Sequence, residues 1–120
     1  MKNFILALLT VFFAAGCSVE KEPKSRSAES AGYILIDVRS VEEFNSGYLQ
    51  GAVNIPHTAI ADGIGKVAPD KSAALKLYCR SGRRVGWAME SLQKLGYKNM
   101  ENLGGLSEAQ KTLGLPVVKR

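Results

Sequence analysis

Ala73-Ala74-Leu75-Lys76-Leu77-Tyr78-Cys79-Arg80-Ser81-Gly82-Arg83-Arg84 reads as a strand running into a small tight loop, with a helical pattern beginning at once. After the loop, Val85, Ala88, Met89, Leu92 and Leu95 recur at helical spacing and form one apolar stripe. Lys94 and Gly96 suit the end of that helix. A strand followed by a loop that opens a helix directs several backbone N–H groups at one point. The first residue of the loop is Cys79, and Arg80, Arg83 and Arg84 lie within the next five positions. A thiol with a pKa of ~8.5 is only a few per cent thiolate near pH 7. The positive end of a helix and nearby guanidinium groups both favour the anion. These surroundings suit an activated sulfur nucleophile and an anionic partner.

Simpler readings of Cys79 fit less well. A cysteine at a strand end is often a small buried hydrophobe, but that leaves Arg-Ser-Gly-Arg-Arg as an accident. A dithiol redox site wants Cys-x-x-Cys, and position 82 is glycine. A metal centre needs three or four ligands. With two cysteines and one histidine in the whole chain, no metal site is expected. The net charge of +5 and pI near 9.4 could suggest nucleic acid. The basic residues form no long run, however, and are densest on the Cys79 loop, so the charge is read as local anion attraction with no nucleic-acid partner.

The 120 residues divide unevenly. Lys2, then a mostly apolar run from Phe4 to Ala15, then Ala14-Ala15-Gly16 before Cys17, read as a secretory signal peptide over 1–16. At about 12 residues the run is shorter than the ~20 that cross a bilayer as a helix. Small residues directly before a cysteine resemble the lipobox of bacterial lipoproteins, in which that cysteine becomes the lipidated first residue. Ala14 stands where the lipobox usually has leucine. The expectation is therefore a lipidated Cys17 on the periplasmic side of a bacterial membrane, with a soluble periplasmic protein as the alternative. Ser18 after Cys17 resembles the outer-membrane sorting pattern of such lipoproteins. Residues 18–31 are polar and charged and read as a flexible tether. Residues 32–120 remain for one folded domain with a modest core. An oxidising compartment with Cys17 lipidated leaves Cys79 without a partner in the chain, which points to a reactive cysteine or one that pairs between molecules.

Along that domain, Tyr33-Ile34-Leu35-Ile36 reads as a buried strand ending at Asp37-Val38-Arg39. Ser40 is placed to cap a short helix with Glu42 and Glu43 in its first turn. A second strand is expected over Ala52–Ile55, a helix over Thr58–Val67, a third strand over Leu75–Tyr78 and a fourth over Asn99–Leu103. Gly104-Gly105 is expected to turn, and Ser107 to cap a last helix ending at Leu113. Strand and helix in alternation predict an α/β domain: a small, mainly parallel sheet of four to five strands flanked by helices. Ligands of such sheets sit beyond the carboxyl ends of the strands. That edge gathers Asp37-Val38-Arg39, Pro56-His57, Cys79–Arg84 and Gly104-Gly105.

Taken together, these residues resemble the single-domain rhodaneses, the thiosulfate sulfurtransferases. Leu35-Ile36-Asp37-Val38-Arg39 is similar to the family's opening motif. Glu42-Glu43-Phe44 and Gly47-Tyr48-Leu49-Gln50-Gly51-Ala52-Val53-Asn54-Ile55-Pro56 follow the motif after it. Tyr78-Cys79-Arg80-Ser81-Gly82-Arg83-Arg84 is similar to the catalytic loop, and Leu103-Gly104-Gly105-Leu106 with Gly114-Leu115-Pro116-Val117 to the closing motif. The short form and the turn at Val67–Lys71 most resemble the exported phage-shock protein E group. Tyr48 stands where the family commonly has histidine, and Gln110 where it often has tryptophan.

The resemblance implies a rhodanese-like fold, no cofactor, and sulfur transfer through a persulfide on Cys79. A small anionic donor such as thiosulfate would be held by Arg80, Ser81, Gly82, Arg83 and Arg84, with Arg84 favoured among the arginines. The acceptor would be cyanide, a thiol or a protein. Asp37 and Arg39 would fix the loop edges together, and the lipid on Cys17 would supply a membrane anchor. Two other readings stay open. Phosphatases of the Cdc25 kind share the fold and carry Cys-x5-Arg, whereas Cys79 and Arg84 are spaced Cys-x4-Arg. Non-catalytic rhodanese-like binding modules often lack the loop cysteine.

Overall fold

A computed structural model of the chain describes residues 32–120. The expected signal peptide, the lipidated Cys17 and the tether lie outside the described residues. β1 (Ile34–Asp37) leads to α1 (Val41–Asn45), then to the short strands β2 (Tyr48–Leu49) and β3 (Val53–Asn54). A 3-10 turn (His57–Ala59) enters α2 (Ile60–Val67). β4 (Leu75–Cys79), α3 (Arg83–Lys94), β5 (Met100–Gly105), α4 (Leu106–Leu113) and β6 (Val117–Val118) complete the chain.

The main sheet has four strands in the order β3-β1-β4-β5, and every pairing in it is parallel. Its two interior strands, β1 and β4, are buried on both faces, which is why they read as apolar runs. The alternation of side chains along each strand sorts them into two cores. Ile36, Leu75, Leu77 and Cys79 face Ile60 and Ile64 of α2 and Val85, Ala88 and Leu92 of α3. Leu35 and Tyr78 face the opposite way, onto Leu49, Leu103 and Ala109 of α4. The result is the rhodanese-like α/β architecture, a small parallel sheet flanked by helices.

α1 is short, and its start is doubly tied: Ser40 Oγ accepts from the Glu43 backbone N–H at 3.2 Å, and Glu43 Oε1 accepts from the Ser40 N–H at 3.1 Å. α2 carries Gly63 and Gly65 in its interior yet holds, because Ile60 and Ile64 seat it on the sheet. The α3 stripe buries Val85, Ala88 and Leu92, while Leu95, just past the helix end, is 38% exposed.

Three details depart from expectation. Gly104-Gly105 is not a turn but the end of β5, which carries one extra residue: Leu77 pairs with Asn102, and Cys79 with Gly105. Ser107 lies inside α4. The cap is Gly105, whose N–H donates to Glu108 Oε1 at 2.8 Å. β2 and β6 form an antiparallel ladder, Tyr48 with Val118 and Leu49 with Val117, which ties the chain end to the segment after α1. Among the described residues no helix is long and apolar enough to cross a membrane.

Candidate active site

Cys79 ends β4 at the centre of the sheet, and the chain turns at once into α3. The turn depends on Gly82, which caps α3 at φ +95, a conformation that side chains disfavour. A Cβ there would also lie 3.3 Å from Gly104 Cα. In this geometry the Gly82 N–H donates to Cys79 Sγ at 2.9 Å. Cys79 is fully buried, and burial alone would push its thiol pKa up. Backbone N–H groups of Val85, Ser81, Gly82 and Arg84 converge on the sulfur and outweigh burial, so the pKa lies below its ordinary value. A cysteine that merely filled the core would have no use for these donors.

The loop is braced from β5. Asn102 Nδ2 donates to the Gly82 carbonyl at 3.2 Å, and Asn102 Oδ1 accepts from the Gly104 N–H at 2.8 Å. Gly105 sits so close to the loop that a Cβ on it would overlap the Arg80 carbonyl. Gly105→Ala is therefore expected to shift the loop and destabilise the protein by about 1–3 kcal/mol. It should also slow alkylation of Cys79. Gly65→Ala, where a Cβ meets nothing within 4 Å, is expected to be stabilising by about 0.5–1 kcal/mol. Thermal melts and thiol alkylation rates on both variants check the pair of outcomes.

The arginines of the loop have different environments. Arg84 makes a two-pronged ion pair with Glu43, Nη1 to Oε1 at 2.8 Å and Nη2 to Oε2 at 3.1 Å. Arg80 Nη1 lies 3.5 Å from Glu43 Oε2, with its side chain 79% exposed. Arg83 is exposed and makes no ion pair among the described residues. The arginine favoured from sequence is thus the most engaged of the three.

Asp37 and Arg39 are buried together. Arg39 Nε donates to both Asp37 oxygens at 3.0 Å, and Nη2 donates to Oδ2 at 2.6 Å and to the Gly47 carbonyl at 2.6 Å. Burial works against the Arg39 charge, but the hydrogen bond and charge of Asp37 hold its pKa above the ordinary value. Asn54 Nδ2 adds hydrogen bonds at 3.0 Å to the carbonyls of Asp37 and Arg39. The end of β1, the start of β2 and β3 are thereby locked side by side.

Beside the loop lies a cleft of about 540 Å³ lined by Arg39, Glu43, Ser46, Arg80, Ser107 and Glu108, among others. The His57 ring packs against Trp87, centroids 5.3 Å apart. Among the described residues no cluster of His, Cys, Asp or Glu side chains is placed to hold a metal. Glu43, Asn54 and Asn102 were not legible as site residues. The signals for Glu43 are its place in the first turn after Ser40 and in the Glu42-Glu43-Phe44 motif, neither of which shows its reach to Arg84.

A family model for the rhodanese-like domain matches residues 21–112. The thiosulfate sulfurtransferase PspE of Escherichia coli (strain K12) is 42% identical over 84 residues, covering 70% of this chain and 77% of that protein. A sulfurtransferase of Allochromatium vinosum is 31% identical over 93 residues, covering 78% and 85%. The solved structure of a rhodanese with anions from E. coli superposes with a TM-score of 0.66 at 39% identity, covering 73% of this chain and 99% of that one. The chain belongs to the rhodanese family. Within it, this is a domain of the sulfurtransferase type.

Proposed function

We propose that the protein is a thiosulfate sulfurtransferase working through a persulfide on Cys79. The observation that carries this reading is the convergence of backbone N–H groups on the Cys79 sulfur, which favours the thiolate despite burial. The thiolate attacks the outer sulfur of thiosulfate. The S–S bond of the donor breaks, its electron pair leaves with sulfite, and Cys79 carries a terminal sulfur anion. The loop N–H groups then stabilise that anion. An acceptor such as cyanide or a thiolate attacks the outer sulfur, the new S–S bond breaks, and the Cys79 thiolate is restored. The arginines raise the local concentration of the anionic donor. Asp37 and Arg39 hold the loop edges and take no part in the chemistry. Similarity to proteins named for thiosulfate sulfurtransfer supports the choice of donor.

The test is intact mass before and after thiosulfate, with excess donor removed. A gain of about 32 Da, one sulfur atom, discharged by cyanide as thiocyanate, is the expected result. Hydrolysis of an aryl phosphate is expected to be absent, because the Cys-x4-Arg loop is one residue shorter than the phosphatase form. Robust phosphatase activity without any mass gain would overturn the reading in favour of the phosphatase. No mass gain and no hydrolysis would leave a binding module.

We also propose that residues 1–16 direct export and that Cys17 is lipidated, with 18–31 holding the domain off a membrane surface. A tether of that length spans about 20 Å on average. Metabolic labelling with a fatty acid is expected to mark the wild type and not Cys17→Ala. An unlabelled, soluble periplasmic protein would establish ordinary signal cleavage instead.

A further inference from the structure

We infer that Glu43 sets the charge the Cys79 loop presents to a sulfur donor: by clamping Arg84 and facing Arg80, it holds donor affinity below what the unmasked arginines would give. The inference rests on Cys79 being the sulfur-accepting nucleophile. It concerns a residue outside the loop, on α1, to which the sequence assigns no role at the site.

The geometry is specific. Both Glu43 oxygens are taken by Arg84, at 2.8 and 3.1 Å. Oε2 also faces Arg80 Nη1 at 3.5 Å, and Oε1 accepts from the Ser40 N–H and hydroxyl at 3.1 and 3.0 Å. The carboxylate lines the cleft beside the loop together with Arg80 and Arg39. Its charge is permanent in use: the hydrogen bond from Arg84 lowers its pKa first and foremost, burial opposes this, and the Ser40 hydrogen bonds and Arg84 charge bring it to about 2. The Arg84 guanidinium lies within the field of both Glu43 and Cys79. One full negative charge therefore sits against Arg84, faces Arg80 and lines the cleft beside the loop. Arg80 and Arg83, the more exposed pair, are left to meet the donor. Glu43 is a positioning residue, acting through Arg84 and Arg80 and not on the reacting atoms.

The charge of the donor discriminates this role from simple helix capping. Glu43→Gln keeps an oxygen for the Ser40 N–H but removes the charge. At low ionic strength its KM for thiosulfate, a dianion, is expected to fall about fivefold, and its KM for methanethiosulfonate, a monoanion, by less. The change in kcat is expected to stay within about twofold, and high salt should erase the difference between donors. Arg84→Met, which leaves Glu43 unpaired, should raise the thiosulfate KM more than the methanethiosulfonate KM. Ser40→Ala removes half the cap without touching the charge. It should lower the melting temperature and leave the ratio of the two KM values unchanged.

Mass labelling by thiosulfate is measured first on every protein. Its absence in the wild type sinks the sulfur-transfer reading itself. With labelling present, an unchanged KM ratio in Glu43→Gln overturns the inference about Glu43 alone. If that variant does not fold, an unchanged ratio in Arg84→Met does the same.

Discussion

Cys79→Ser is expected to take up no sulfur from thiosulfate and to lose sulfur transfer by a factor of about 10⁴ or more, as loss of a covalent nucleophile does. Serine differs from cysteine by one atom, and its hydroxyl can still accept the Gly82 N–H that now meets Sγ at 2.9 Å. Cys79 also belongs to the core that packs against α2 and α3, so a hydroxyl there is expected to destabilise by about 1–3 kcal/mol. A melting curve with one cooperative transition separates lost chemistry from lost fold. The wild type should gain about 32 Da and return to its starting mass with cyanide. A Cys79→Ser protein that labels as fully as the wild type would place the acceptor sulfur elsewhere and undo the mechanism.

Asp37→Ala is expected to be the most destabilising single change at the edge of the site. Asp37 is 0% and Arg39 is 6% exposed, and the Arg39 guanidinium has the Asp37 carboxylate as its counter-charge. Truncating Asp37 leaves a buried cation uncompensated, which costs about 3–5 kcal/mol. The lost anchor also frees Arg39 from its place beside the Gly47 carbonyl, so β1, β2 and β3 lose their common tie. Chemical denaturation measures the effect. Asp37→Ala combined with Arg39→Met, which removes both charges, should recover much of the loss. If Asp37→Ala alone costs less than about 1 kcal/mol, the pair is solvated and its structural role is wrong.

Much of this arrangement is legible in the sequence because single, strong patterns specify it. β1 and β4 are apolar runs of strand length, α3 has a clean helical stripe, and Ser40 with Glu43 spells a helix start that the structure realises in full. What was not legible depends on contacts between distant segments. β2 and β6 have two residues each, too few to show a period, and exist only because they meet one another. Gly104-Gly105 carries the composition of a turn, yet pairing with β4 draws it into a strand whose extra residue lets the chain pass the Cys79 loop. Ser107 is a good cap by type, but Glu108 reaches back to the Gly105 N–H and starts α4 earlier. Within the loop, the sequence favours Arg84 for its place at the loop's close but gives no sign of what it pairs with. Only the position of α1 shows that Glu43 clamps Arg84, reaches Arg80 only at 3.5 Å and leaves Arg83 without an ion pair among the described residues.

The strand order β3-β1-β4-β5 also governs when the thiol becomes reactive. β1 is made first but sits in the interior of the sheet, where Ile34 must wait for Leu75 and Ile36 for Leu77. Contacts of such long sequence separation form late and slowly. The donors around Cys79 come from the loop and the first turn of α3, and the brace on Gly82 comes from β5. An unfolded chain therefore lacks the convergent donors that lower the Cys79 thiol's pKa. The lowered pKa arrives only with the folded loop and its brace, so under the proposed export a chain threaded across a membrane before folding would travel with its thiol not yet activated.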